Sequence, residues 1–161
     1  MKFPVYLPRP HAKQRDFIYS NAKRKVIVAG RRGGKTTATS IMAVQAAMKG
    51  RRVLQAAPTG EQTSYFWANV KDFLRHPIAN GIIYKNDGAR LLVLPNGGRI
   101  RAKTAWQADM LRGDYADLFI LEEYSLMKEN VWTEVGAVIL LDNDGDAVFI
   151  FTPKRKNHAF H

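Results

Sequence analysis

Three stretches of this 161-residue sequence predict a three-layer α/β fold, a mostly parallel sheet with helices on both faces. Residues 25–48 pass from an apolar, β-branched run through a glycine-rich turn into an Ala/Met/Val-rich segment of helical character. Residues 117–123, D-L-F-I-L-E-E, set four apolar residues ahead of two acids, the pattern of a buried central strand that delivers carboxylates at its C-terminal edge. Residues 81–103 change to a period of two around P-N-G-G, which predicts a β-hairpin with a tight turn at Asn96-Gly97-Gly98, preceded by another strand.

The first stretch contains V-I-V-A-G-R-R-G-G-K-T-T at 26–37. A loop free of bulky side chains aims several backbone N–H groups at one anion, and the helix behind it adds its positive end, so this is a phosphate-binding loop. Against G-x-x-x-x-G-K-[ST], Ala29 replaces the first glycine and Gly30 follows it. Gly33 and Gly34 supply the unusual dihedrals, Lys35 is expected to reach the β- and γ-phosphates, and the Thr36 hydroxyl to hold Mg²⁺. Gly30, Arg31, Arg32 and Thr37 complete the expected nucleotide-binding set. The plain alternative is a connection whose glycines only make a turn. The buried-type strand expected at 25–29 and the helix expected at 35–48 argue against it, because the phosphate-binding mechanism needs both.

The length suits one domain with a real core, and is too short for two full lobes of this kind. Apolar residues make up 46% of the chain, as in a globular protein. The absence of cysteine excludes disulfides and thiolate metal sites. No apolar run approaches the roughly 20 residues of a membrane span, and no signal-peptide core follows Met1, so a soluble intracellular protein is expected. The net charge of +11 is unevenly placed: residues 1–60 hold 13 Lys/Arg against the single acid Asp16, and the remainder holds 12 bases and 13 acids. A basic half beside a phosphate loop points to polyanions, either the nucleotide or nucleic acid; solvated surface or balance by a partner domain are the alternatives.

Residues 1–14 carry three prolines and are expected to be an irregular approach. Gln14 is placed to read an adenine edge, since an amide donates and accepts at once, or to be plain surface. A short strand is expected within 51–59, then a helix over 61–74 with Phe66, Val70, Phe73 and Leu74 on its apolar face, and with Tyr65, Phe66 and Trp67 as core packing. Arg99, Arg101 and Lys103 alternate on one face of the last hairpin strand, expected to be solvated and open to phosphates. A short helix at 107–111 leads to R-G-D at 112–114 and the acidic strand. There the first acid, Glu122, is expected to hold Mg²⁺ and the second, Glu123, to take a proton from attacking water; two glutamates opening a helix at its positive end are the alternative. Helical residues are expected to about 141, then a turn at D-N-D-G-D, which lacks the twelfth-position Glu of a calcium loop. The apolar strand 147–151 follows, and Thr152 at its end is placed to sense the γ-phosphate.

Taken together, H-A-K-Q at 11–14, A-G-R-R-G-G-K-T-T at 29–37, A-A-P-T at 56–59, F-W at 66–67, the P-N-G-G hairpin, L-R-G-D-Y-A-D-L-F-I-L-E-E at 111–123 and F-T-P-K at 151–154 resemble the ATPase domain of the large terminase subunit, the DNA-packaging motor of tailed bacteriophages. The resemblance implies a P-loop NTPase of the additional-strand, catalytic-glutamate type. It implies ATP and Mg²⁺ as cofactors, and ATP hydrolysis that drives packaging of double-stranded viral DNA. It makes Lys35 and Thr36 the phosphate and Mg²⁺ ligands, Glu122 the metal-side acid, Glu123 the catalytic base, Thr152-Pro153 the coupling motif and Gln14 the adenine contact. Double-stranded DNA, a portal protein and a small terminase subunit are its implied partners, in the host cytoplasm and without a membrane. A homo-oligomeric ring is the expected working form, with this stretch alone a monomer.

Two departures accompany the resemblance. Glu122 stands where Asp is usual, one methylene longer, so its metal contact is open to running through water. Residues 1–161 are expected to be a truncated N-terminal ATPase domain, without the nuclease domain and without nuclease activity. Arg31 and Arg32 remain equal candidates for a cis sensor of the γ-phosphate. Arg112 lies at the entry of the acidic strand, and five strand residues at about 3.3 Å each put it more than 15 Å from the acids. It is therefore a candidate finger for a neighbour's nucleotide, with pairing to Asp114 or Asp117 as the alternative. The rival functions are a helicase-like motor and a nucleotide- or DNA-binding module without turnover.

Overall fold

The structure, a computed structural model, describes residues 2–28, 34–111, 114–136 and 144–152, with Ala108 and residues 134–136 described by their backbone alone. In chain order the elements are α1 (Ala12–Ile18), β1 (Arg24–Val28), α2 (Lys35–Met48), β2 (Arg52–Ala57), α3 (Gly60–Phe73), α4 (Arg75–Ala79), β3 (Tyr84–Asn86), β4 (Leu91–Val93), β5 (Arg99–Thr104), β6 (Leu118–Glu122) and β7 (Asp146–Phe151). Short 3₁₀ turns at Ala108–Leu111 and Tyr124–Leu126 and a π turn at Val131–Gly136 complete them.

One seven-stranded sheet runs in the order β1-β7-β6-β2-β5-β4-β3. From β1 to β5 every neighbouring pair is parallel, and the β5-β4-β3 corner is antiparallel. β7 lies between β1 and the acidic strand β6, the additional-strand arrangement that the resemblance implies. Parallel strands joined through helices place all their C-terminal ends on one edge, and α2 begins at that same edge.

The helix α2 explains why the sheet holds together. Ten of its fourteen residues are buried, its Ile, Met, Val and Ala side chains packing inside the fold. With α3 it covers one sheet face, where Ile41, Val44, Phe66, Val70, Ile100 and Ile120 form one core. Burying a side chain of the size of Ile41 or Phe66 contributes about 1.5–3 kcal/mol. The opposite face packs Leu54, Phe119, Leu121, Tyr124 and Val131 into a second core under the 3₁₀ and π turns. Among the described residues the second helical layer is made of short turns. Of the helix expected to about 141, residues 131–136 form the π turn and 137–143 lie outside the described residues.

Three further expectations change. β1 is not buried: it is an edge strand, and Val26 and Val28 are exposed because no described element covers that part of the second face. The chain turns helical at Ala12, two residues before Gln14, because the His11 side chain accepts from the Gln14 backbone N–H and the Gln14 side chain accepts from the His11 N–H, a closed capping box. Tyr65 points away from the core, 61% exposed, whereas Phe66 and Trp67 are buried. Among the described residues no helix is long and apolar enough to cross a membrane.

Candidate active site

At the C-terminal edge of the parallel strands, α2, β6 and β7 bring five predicted residues together. Gly34 caps α2 with a left-handed backbone (φ 74°) and no side-chain hydrogen bond. The first N–H groups of a fourteen-residue helix therefore face this edge without a capping side chain. Lys35 opens the helix, and its Nζ donates to Thr152 Oγ1 at 2.6 Å. The Thr152 hydroxyl in turn donates to Glu123 Oε1 at 3.2 Å. Ammonium to hydroxyl to carboxylate is a consistent direction for the protons, since the hydroxyl both accepts and donates.

β6 ends in Glu122, and the backbone then turns left-handed at Glu123 (φ 49°). For a residue with a Cβ that conformation is uncommon, and it redirects the chain out of the sheet at the second acid. The two adjacent carboxyls consequently have different surroundings. Glu122 is 4% exposed; its Oε1 accepts from Thr39 Oγ1 at 3.0 Å and its Oε2 lies 3.4 Å from Thr36 Oγ1. Glu123 is half-buried beside Thr152.

Burial pushes the Glu122 carboxyl up to about 7; the Thr39 hydrogen bond opposes the rise and the Glu123 charge adds to it. Burial also lowers the pKa of the Lys35 ammonium, while the carboxylates of Glu123 and Glu122 pull it back up. A cation and two acids thus face one another at the mouth of the helix, and hydroxyls mediate the contacts described between them.

The other expected residues fall as follows. Gln14 is buried, and its amide N–H donates to Gly34 O at 3.0 Å while its carbonyl accepts from His11. It therefore reaches the end of the phosphate loop, and a side chain at Gly34 would run into its amide. Thr37 is half-buried in the first turn of α2. Gly30, Arg31, Arg32, Gly33 and Arg112 lie outside the described residues, as does Pro153.

The solvated basic stripe expected on β5 is a correction. Arg101 and Lys103 are half-buried and pair with Asp114, at 3.7 Å and 2.9 Å. Asp114 lies beyond the strand in sequence, and the period-two pattern carries no information about it. Thr39 is a residue that the motif left out. Its position one helical turn after Thr36 was the available signal, because residues three apart share a helix face. A cavity of about 640 Å³ lies away from these groups, at the opposite ends of the strands, where Ile18, Lys25, Met42, Leu118 and Val148 line it.

Over residues 26–161 the chain matches the family described as terminase large subunit, T4likevirus-type, N-terminal. It is 32% identical over 168 residues to the terminase large subunit of Thermus virus P23-45, and 31% identical over 169 residues to that of Thermus phage G20c. Each alignment covers 92% of this chain and 35% of the relative, so the chain spans about a third of their length. The large terminase ATPase domain of Thermus phage P74-26 superposes with a TM-score of 0.79 at 28% identity, covering 92% of this chain and 67% of that one. By both sequence and fold, this chain belongs to the terminase large-subunit family, in the part that forms its N-terminal domain.

Proposed function

We propose that this domain hydrolyses ATP, and that hydrolysis drives translocation of double-stranded viral DNA in a packaging motor working in the cytoplasm of the infected host. The observation that carries it is the continuous chain Lys35–Thr152–Glu123 beside the pair Thr36–Glu122, at the mouth of a helix capped by Gly34, which has no side chain to bond the first N–H groups itself.

In this proposal the uncapped N–H groups of α2 and the Lys35 ammonium bind the phosphates and stabilise the charge that grows on the β–γ bridge. Glu123 orients the attacking water and accepts its proton. Thr152, held between Lys35 and Glu123, senses whether the γ-phosphate has taken Lys35 away from it. Gln14 contacts the adenine, and Gly30, Arg31, Arg32, Gly33, Gly34 and Thr37 complete the nucleotide site, with Arg31 or Arg32 as the cis sensor. Arg112 serves a neighbouring subunit's nucleotide across a ring.

Mg²⁺ suits the residues present. Thr36 and Glu122 offer hard oxygen donors side by side, and this ion commonly takes one or two protein oxygens with the remainder from phosphate and water. When bound, it neutralises charge on the phosphates.

DNA suits the cationic N-terminal third, where Arg9, Lys13 and Arg15 stand exposed on the approach and on α1. A portal protein and a small terminase subunit complete the proposed motor. The test is ATP turnover by the wild type, Lys35→Ala and Glu123→Gln. Loss of roughly 10³-fold or more in both variants is expected, with nucleotide binding retained in Glu123→Gln. Wild-type turnover in Lys35→Ala, or flat traces from all three proteins, would overturn the proposal.

A further inference from the structure

Thr39 is fully buried in α2, one turn after Thr36 on the same helix face. Its hydroxyl oxygen lies 3.0 Å from Glu122 Oε1, 3.1 Å from Thr36 O and 3.3 Å from Lys35 O. A threonine inside a helix ordinarily donates to the carbonyl three or four residues back. Here the hydroxyl, which keeps its one proton and donates it in a hydrogen bond, has a better acceptor in Glu122 Oε1. The Thr36 carbonyl already takes the Ser40 hydroxyl at 2.6 Å, and an ionised carboxylate only accepts. Two oxygens at 3.0 Å with no proton between them would turn lone pairs on one another, so beside an ionised Glu122 the Thr39 hydroxyl donates to the carboxylate.

The contact answers a need that the sequence creates. Glu122 stands where related motifs carry Asp, and its extra methylene adds a rotatable bond that must be frozen before the carboxyl holds one orientation. Thr36 restrains it weakly, since 3.4 Å is at the long end for an O–H···O contact. Thr39 supplies the shorter contact, and to the other oxygen.

We propose that Thr39 is a positioning residue for the metal-side acid: by holding Glu122 Oε1 it fixes the rotation of the carboxyl and keeps Oε2 turned toward Thr36, where Mg²⁺ would bind. The inference rests on the proposed role of Glu122. It adds a residue that acts only through Glu122 and touches neither nucleotide nor metal. Groups that orient metal ligands from behind typically change metal affinity by about 10–100-fold when removed.

The test measures binding of a fluorescent ATP analogue by the full-length protein, with and without Mg²⁺, in the wild type, Thr39→Val, Thr39→Ser and Lys35→Ala. Thr39→Val is expected to raise the Mg²⁺ concentration for half-saturation about tenfold or more and to leave metal-free binding within about twofold of wild type. Thr39→Ser, which keeps the hydroxyl, is expected to restore the wild-type value. Thr39→Ala removes the hydroxyl without adding bulk and carries the test should the valine variant not fold. In a Glu122→Asp background, where the shorter acid withdraws from Thr39, Thr39→Val is expected to add nothing further. Unchanged Mg²⁺ dependence in Thr39→Val overturns the inference. Equal losses with and without the metal, or a serine variant as impaired as the valine one, also overturn it by assigning Thr39 to packing. Lys35→Ala reports separately on the phosphate site, since unaltered nucleotide binding there would overturn the site itself.

Discussion

Two carboxyl groups of this chain leave their ordinary titration range in opposite directions. Glu122, at the end of β6, is pushed up to about 7 by burial, with hydroxyls as its described hydrogen-bond donors. Asp87, in the exposed corner between β3 and β4, is held down at about 2 by hydrogen bonds from Lys71, Lys85 and Trp67. The first has been stripped of water without receiving full neutralisation. The second has kept much of its water and gained two cations. Desolvated and undercompensated charge is what a site for a divalent cation requires, because the ion supplies the missing neutralisation. Solvated and matched charge is what a surface requires to tie one element to another.

The largest expected stability effect tests the Glu122 side. A buried acid whose folded pKa is raised favours the folded state while protonated. Its contribution is fully present below the unfolded value near 4.5, and is lost as pH rises through about 7. The metal-free protein should therefore lose stability across that window, by up to about 3 kcal/mol, and Glu122→Gln should remove the loss. Chemical denaturation of both proteins at several pH values checks this. Parallel curves with the same slope would show that the Glu122 charge is fully compensated in the fold, and the contrast with Asp87 would collapse. With Glu122 in its proposed role, the same sign predicts that Mg²⁺-dependent nucleotide binding strengthens as pH rises through the same range, which titration of the nucleotide with and without Mg²⁺ at several pH values checks.

Asp114 combines shelter from solvent with two cationic partners. It is 12% exposed, and it faces Arg101 and Lys103, which are 39% and 29% exposed. Asp114→Asn leaves both cations partly buried without their counter-charge, and a loss of about 1 kcal/mol in stability is expected, smaller at high salt. ATP turnover should stay within about twofold, because the pair ties β5 to the approach of β6 at a distance from the phosphate site. A turnover defect larger than the stability loss explains would move this basic stripe from structure to function.

These cases show which features the sequence carried. The bounds of α2 were legible because a glycine that accepts a left-handed turn precedes fourteen residues with almost no polar face. The strand β6 was legible because an unbroken apolar run ends in acids. Both signals are local. The exposure of β1 was not legible, since periodicity cannot say which strand forms a sheet edge. The pairing of Lys103 with Asp114 joins residues eleven apart in different elements, and alternation along β5 reports only that the three cations share a face. Helix α1 began early because a histidine serves as its cap, a residue type outside the usual Ser, Thr, Asp and Asn. Thr39 escaped for a different reason: the phosphate-loop motif stops at Thr36 or Thr37, and the acid that Thr39 serves lies more than eighty residues away.

The smallest effect belongs to Asp87, and it runs with the opposite sign. A carboxyl with a depressed folded pKa contributes stability above its unfolded value, and that contribution is lost as pH falls from about 4 toward 2. Asp87→Asn isolates the charge, because the amide oxygen of asparagine can still accept from Trp67 Nε1, which lies 3.0 Å from Asp87 Oδ1. What disappears is the attraction to Lys71 at 2.9 Å and Lys85 at 3.2 Å, both partly exposed and open to screening. A shift of at most a few degrees in Tm is therefore expected at neutral pH. It should shrink as salt rises and fade as pH falls through about 2, where the wild type loses its charge at this position as well. Thermal unfolding of the two proteins at neutral and acid pH, each at low and high salt, measures it. A difference that persists at acid pH would mean that the shape of the carboxylate against Trp67, and not its charge, ties α3 to the β3–β4 corner, and Asp87 would then cease to be the charged counterpart of Glu122.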